Sequence, residues 1–191
     1  MLDGAAAPVP PRLTRIEAAA AAAALHYGSD PRVGALLRTL AAAKPGGRLL
    51  ELGTGIGVGA AWILDGMDAA ARLTTVDVQE AAGIARRCLG DDPRVELIAA
   101  DASDFLEGLG ARTFDLIFAD APPGKFVDLQ RALDALAPGG LYVVDDMLPD
   151  PERDDRGPQL AALQAALLAR RDLVVTGVPW ATGVLVAAKR G

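Results

Sequence analysis

The chain has 191 residues and a mass of 19.6 kDa, enough for one domain with a buried core. Hydrophobic residues at 51% and charged ones at 23% exclude wholesale disorder, and a net charge of -6 argues against gripping a phosphate backbone without regard to sequence. Cys88 and His26 stand alone in their residue types, which excludes an internal disulfide and cysteine- or histidine-rich metal sites and argues against a Ser-His-Asp triad.

Residues 1–11 are small and proline-rich and are expected to fray. Residues 14–25 read as a helix, since alanine is the best helix former and no breaker interrupts them. The apolar run 18–25 inside that helix is far shorter than the roughly 20 residues a bilayer crossing needs. Glu17 precedes it and no basic leader is visible, so residence in the cytoplasm is expected. His26-Tyr27-Gly28-Ser29-Asp30 forms a break. A second helix follows over 31–43, with Pro31 in its first turn and Asp30 as its cap.

From Lys44 onward, short apolar runs alternate with helical stretches. The runs are 48–52, 73–76, 95–98, 114–119 and 141–144, and the stretches between them are 58–66, 80–89, 102–109 and 126–136. Near-continuous apolar strands are expected where both faces of a parallel sheet are covered, and repeated strand-helix units give a doubly wound α/β fold. After a helix over 158–170, strands 172–178 and 182–188 are separated only by Pro179-Trp180-Ala181, which suits an antiparallel hairpin. The expected architecture is α/β, one seven-stranded sheet of five parallel strands closed by an antiparallel pair. Residues 147–157 form a polar loop at the mouth of the fifth strand, a candidate rim or lid.

The sharpest local signal is Leu49-Leu50-Glu51-Leu52-Gly53-Thr54-Gly55-Ile56-Gly57-Val58-Gly59. An apolar strand runs into alternate glycines and a helix begins beyond them. Glycines there permit positive φ and let a ligand approach bare backbone, while the helix start presents free N–H groups. Gly55-x-Gly57-x-x-Ala60 satisfies the dinucleotide pattern, and Asp77, about 20 residues on, would hold ribose hydroxyls with either nucleotide. Glu51 tips the balance: a carboxylate two positions before the first glycine can meet a cationic ligand but has no use beside a pyrophosphate.

Here the sequence resembles the class I S-adenosylmethionine-dependent methyltransferases. Their first motif, an acid followed by x-G-x-G-x-G, is matched by Glu51 through Gly57, with Thr54 inside the turn. The likeness continues in Thr75-Val76-Asp77, Ala100-Asp101-Ala102, 114–120 and 136–141, and covers roughly residues 29–190. It implies a Rossmann-like fold, with Glu51, Gly53 and Gly55 beside the methionine part of the cofactor. It also implies Asp77 on the ribose and Asp101 with Ala102 at the adenine. Read as plain loop acids, Asp77 and Asp101 would instead cap the helices that follow. Ser29 is a candidate for the cofactor's amino-acid end by family position alone.

Asp120 closes the fourth strand and Asp145-Asp146 the fifth, so three carboxylates converge where neighbouring parallel strands end. Without a cation they would repel one another and raise their pKa values, and a hard divalent ion (Mg²⁺, Ca²⁺ or Mn²⁺) would relieve this. The set is similar to that of the catechol and caffeoyl-CoA type O-methyltransferases, which use an Asp after strand four and an Asp-Asn pair after strand five. Asp146 replaces the Asn, and Lys125, in the place of the family's candidate base, stands five residues after Asp120 instead of three. Gly59 stands where many relatives carry a serine. As bland alternatives, Asp145-Asp146 would be a solvated strand end and Lys125 a surface lysine.

The expected activity is methyl transfer from S-adenosylmethionine to a hydroxyl of a small molecule, assisted by a metal on Asp120, Asp145 and Asp146, with Asp120 and Lys125 as catalytic residues. Residues 1–43 would pack on or over the site and 44–191 would form the cofactor-binding core. His26 and Tyr27 could face the acceptor, Trp62 belongs in the core, and Trp180 is a pocket wall or packing. A homodimer is expected because such relatives are often dimers; a nucleic-acid partner is not, since no basic stripe is interleaved with aromatics. The alternatives are an NAD-dependent oxidoreductase, which lacks a visible catalytic set, and a non-catalytic cofactor-binding protein.

Overall fold

Apolar strands buried on both faces decide the architecture. A computed structural model describes residues 8–25, 28–78, 82–149 and 156–191. The sheet contains β1 (Arg48–Leu52), β2 (Arg72–Asp77), β3 (Val95–Ala99), β4 (Phe114–Ala119), β5 (Leu136–Val144), β6 (Leu173–Val178) and β7 (Val184–Lys189). Their order is β3-β2-β1-β4-β5-β7-β6, with β1 to β5 parallel and β7 antiparallel to both β5 and β6. The expected seven-stranded α/β sheet is therefore present. Four of the five residues of β1 are buried, as a strand covered on both sides requires.

Alternation along the strands feeds two cores. Leu49, Leu73, Leu116 and Val143 face one layer, made with α1 (Pro11–Ala22), α2 (Pro31–Ala42), α3 (Val58–Gly66) and α4 (Ala82–Leu89). Leu50, Val76, Ile117 and Val144 face the other, where α5 (Ala102–Glu107), α6 (Leu129–Ala135) and α7 (Gly157–Leu168) pack. α1 turns Leu13, Ile16 and Ala20 inward, so its buried stripe serves the core. Asp30 caps α2 as expected, its carboxylate accepting the Arg32 amide at 2.8 Å. No helix among the described residues is long and apolar enough to cross a membrane.

Several boundaries differ from the sequence reading, each for a local reason. α1 begins at Pro11, because proline lacks only an amide that the first turn leaves unpaired. It ends at Ala22, before Ala24 takes a positive φ. α6 starts at Leu129 and not near Phe126, since the amides of Lys125, Phe126 and Val127 all turn back to the Pro122 carbonyl. Leu136 opens β5 instead of closing that helix, pairing with Phe114 ahead of a register shift. The link between β6 and β7 is five residues, 179–183, because Met147 and Leu148 donate to the carbonyls of Gly183 and Thr182 and draw those residues out of the hairpin ladder. His26, Tyr27, the start of the predicted 80–89 helix and residues 150–155 of the predicted rim lie outside the described residues.

The contact between α2 and α3 positions the chain leading to the site. Trp62, 1% exposed, lies flat on Gly34, where a Cβ would stand 2.5 Å from Trp62 Cε2 and closer still to two other ring atoms. Gly34→Ala gains about 1 kcal/mol of helix propensity but forces a rigid indole to move, at a cost of about 3 kcal/mol. The variant is expected to melt several degrees below the parent in a calorimetric scan.

Candidate active site

The sheet order reverses at β1 and β4, and a cleft of about 660 Å³ opens over their carboxyl ends. Two backbone bonds set its floor: the Gly53 amide donates to Val76 O at 3.0 Å and the Asp120 amide to Leu52 O at 2.9 Å. Gly53 has φ +102°, and a Cβ there would lie 2.8 Å from the Asp120 carbonyl, so only glycine lets the two strand ends approach. Gly55, at φ +50°, would meet nothing with a Cβ, which leaves its backbone bare to the cleft.

Gly57 behaves differently. It is the left-handed cap of α3, and a Cβ would come within 2.9 Å of Ala85 on α4. It lies outside the cleft lining, and its lack of a side chain serves the packing of α3 on α4. The second glycine of a dinucleotide fingerprint must let backbone approach a pyrophosphate, and Gly57 is turned elsewhere. Asp77, at the end of β2, accepts the Gly55 amide at 2.8 Å and lines the cleft.

Glu51 lies beneath the glycine turn and is 1% exposed. Thr75 Oγ1 donates to its Oε2 at 2.5 Å, and Thr75 in turn meets Thr54 Oγ1 at 2.7 Å. The Ala60 amide also donates to it. Burial pushes the Glu51 carboxyl up to about 8, with Asp120 and Asp77 adding to the rise against the Thr75 bond. A Cβ on Gly59 would overlap Glu51 Oε1 and stand 3.1 Å from Phe118 Cε1. Position 59 is glycine because the Glu51 side chain fills the space a Cβ would need.

Asp120 carries the second raised carboxyl, pushed up to about 8 by burial and then by Asp145 and Asp146. Ser29 Oγ donates to its Oδ2 at 3.5 Å, a weak bond that brings the chain before α2 to the cleft. Asp145 is buried, and burial holds its carboxyl above the usual carboxylate range. Its Oδ1 accepts the Asp146 amide at 2.7 Å and the Thr182 hydroxyl. Asp146 has a left-handed φ of +56°.

Most of the expected cofactor residues come together: Ser29, Glu51, Gly53, Thr54, Gly55, Asp77 and Asp120 all line one cleft, with Asp145 and Asp146. Asp101 and Ala102 do not. The Asp101 carboxylate accepts the Ser103 amide at 2.7 Å and caps α5, as its capping reading expects. Lys125 is buried, not a surface residue, and lies outside the cleft lining. Trp180 packs on the core beside the cleft, while its neighbours Ala181 and Thr182 line it. Arg156 lines the cleft from the predicted rim, whereas Thr182 is a lining residue that the sequence reading missed; the hydroxyl beside the hairpin turn was the available signal.

The three-carboxylate metal site does not fit. Among the described residues no group of three or more His, Cys, Asp or Glu is placed to hold an ion. One oxygen of Asp145 already takes two protein donors. A hard divalent ion needs most of its six or more oxygen positions open.

A methyltransferase domain matches residues 50–147 of this chain. "Probable O-methyltransferase Rv1220c" of Mycobacterium tuberculosis is 34% identical over 171 residues, which cover 83% of this chain and 76% of that protein. Among solved structures, the O-methyltransferase TomG from Streptomyces achromogenes, in complex with S-adenosylmethionine, superposes with a TM-score of 0.82 at 25% identity, covering 100% of this chain and 94% of that one. Cofactor-bound Rv0187 from MTB gives 0.83 at 27% identity, covering 99% and 94%. With the sheet order, the turn after β1 and these relatives in agreement, the chain belongs to the class I S-adenosylmethionine-dependent O-methyltransferases.

Proposed function

We propose that this chain binds S-adenosylmethionine in the cleft over β1 and β4 and transfers its methyl group to a hydroxyl of a small molecule. One observation carries the reading: a buried carboxyl, Glu51, lies directly beneath a glycine turn whose backbone is bare at Gly55 and pinned by Asp77. A cationic nucleoside suits that arrangement, because its charge repays the ionisation of Glu51 and Asp77 has a carboxylate to offer ribose hydroxyls. Gly53, Thr54 and Gly55 would border the amino-acid end, with Ser29 across the cleft. Residues 28–42 then act as part of a cover over the core formed by the rest of the chain.

When bound, S-adenosylmethionine supplies a methyl group on a positively charged sulfur, so the donor needs no further activation. The chain's part is to position the acceptor and take its proton. Asp120 faces the cleft with a carboxyl poised at about 8, which makes it a proton acceptor matched to mildly alkaline solution. With an acceptor hydroxyl held in the cleft, an Asp120 oxygen would take its proton. Asp120 is preferred to Lys125 as the base in this reading, because the Lys125 Nζ donates to the Asp145 carbonyl oxygen and the residue lies outside the cleft lining.

Binding is tested with S-adenosylhomocysteine and NAD by thermal shift. The first is expected to raise the melting temperature and the second to leave it unchanged; stabilisation by NAD alone would overturn the reading. Asp77→Ala is expected to weaken S-adenosylhomocysteine binding about tenfold to a hundredfold, as loss of a charged hydrogen-bond acceptor predicts.

The pH dependence follows from Glu51. Its ligand-free carboxyl is raised to about 8, and a cationic ligand favours the carboxylate and lowers it. Binding therefore releases a proton below that value. S-adenosylmethionine affinity should climb with pH, by up to about tenfold per unit, and level off above the ligand-free value. Glu51→Gln should flatten the Glu51 part of this rise and weaken binding in alkaline solution, with Asp120→Asn as the control for the other group in the same window. Titration calorimetry across the range reads both effects.

A further inference from the structure

The cleft is unevenly charged along its length. Glu51 and Asp77, at the ends of β1 and β2, line one side, and Asp120, Asp145 and Asp146 follow at the ends of β4 and β5. Among the described residues that line it, Arg156 is the one cation. Its place in the fold sets it far from the glycine turn. α7, which begins at Gly157, packs Leu163 and Leu167 into the core that holds Leu173 of β6 and Leu185 of β7. In the sheet order these strands lie beyond β5, so Arg156 borders the cleft on the side opposite Asp77.

Arg156 is carried on a fixed piece of backbone. It is the N-cap of α7, its carbonyl accepts the Leu160 amide at 2.9 Å, and Pro158 stiffens the first turn. The side chain is half-buried, and the protein gives it an interaction of its own. A guanidinium has five N–H donors in a planar fork, so it can keep a protein partner and still hold a ligand. Leu148, Pro149 and Ala181 add apolar lining on the same side, from the chain that leaves β5 and the turn before β7. Leu148 stays 42% exposed, a wall that nothing in the described chain covers.

These groups outline a molecule. A hydroxyl at Asp120 needs a body that covers the apolar wall and an end that Arg156 favours. An ammonium at that end would meet a like charge at close range, whereas a carboxylate matches the fork with two parallel hydrogen bonds. A phosphate would match it too, but its second negative charge would stand on the same side as Asp145 and Asp146. We infer that the methyl acceptor is a hydroxy acid, an apolar body with a carboxylate that Arg156 holds while its hydroxyl faces Asp120. The inference rests on the methyl-transfer reading of the cleft and gives that reading a substrate class, with Arg156 as the residue that determines it.

Titration calorimetry on the full chain saturated with S-adenosylhomocysteine tests this with 4-hydroxyphenyl probes. Their side chains end in a carboxylate, an alcohol or an amine, each at one-carbon and three-carbon lengths. At least one carboxylate is expected to bind about tenfold tighter than its alcohol, with the amine weakest. Equal or weaker binding of both carboxylates, or no binding of any probe, would overturn the inference, and this arm needs no variant. Arg156→Gln is expected to erase the carboxylate's advantage, and Arg156→Lys to keep part of it, since a point charge lacks the fork. A preference that survives in a cooperatively melting Arg156→Gln protein also overturns the inference. S-adenosylhomocysteine titrated alone separates the two readings: normal nucleoside binding without a carboxylate preference removes only the substrate class, whereas no nucleoside binding removes the methyl-transfer reading and the inference with it.

Discussion

Burying the Glu51 carboxyl inside the sheet is the constraint around which the cleft is arranged. A carboxylate in that position, alone, would cost several kcal/mol, and the fold answers in two ways. It provides donors, the Thr75 hydroxyl and the Ala60 amide, and it lets the group hold its proton up to about 8. Both answers fix sequence elsewhere. Thr75 must carry a hydroxyl at a fully buried position of β2, and Gly59 must lack a side chain because Glu51 Oε1 occupies its place. A neutral acid that ionises only when a cation arrives is a poor surface residue and a well-suited binding group, which is why so polar a side chain is tolerated at the end of β1.

Two acidic regions share this edge of the sheet and are solved differently. Under the glycine turn, no cationic side chain among the described residues pairs with Glu51. At the ends of β4 and β5, burial and the neighbouring acids raise the Asp120 carboxyl and burial raises that of Asp145, with Lys125 opposing both shifts. The contrast divides the labour of one cleft. The first region is suited to recognising positive charge, and the second to holding acids whose proton affinity is tuned for a hydroxyl acceptor. Proximity couples them: Asp120 is among the groups that raise Glu51.

Much of this was legible in the sequence because it depends on local pattern. β1 and β4 carry the boundaries that their apolar runs predict, and the glycine turn with Glu51 and Asp77 follows from spacing alone. What was illegible depends on contacts between distant segments. Gly57 and Gly59 look like members of one ligand loop, yet one is small for Ala85 and the other for Glu51. Lys125 reads as a surface lysine until Tyr142 and Leu52, brought from β5 and β1, brace the turn that buries it. Asp101 has an acid's freedom in sequence, but the start of α5 uses its carboxylate first. Leu136 fits a helix by periodicity and becomes a strand because Phe114 is there to pair with it.

The antiparallel hairpin, which looks like a mere closing device, also reaches the chemistry. β7 pairs with β5 through Leu141↔Ala188 to Val144↔Leu185, and the chain before it continues past the ladder to take the amides of Met147 and Leu148. Gly183 must be glycine for this, since a Cβ would collide with Leu148 and its φ is +80°. The strap so formed brings the Thr182 hydroxyl onto Asp145 and holds the start of the cleft rim against the sheet. An all-parallel sheet would need a crossover to place another strand beside β5, and a crossover cannot lay its own turn along the segment that leaves β5. Reversing direction does so at once, which gives the last two strands a reason beyond covering an edge: they fix the side chain of the buried Asp145 through Thr182.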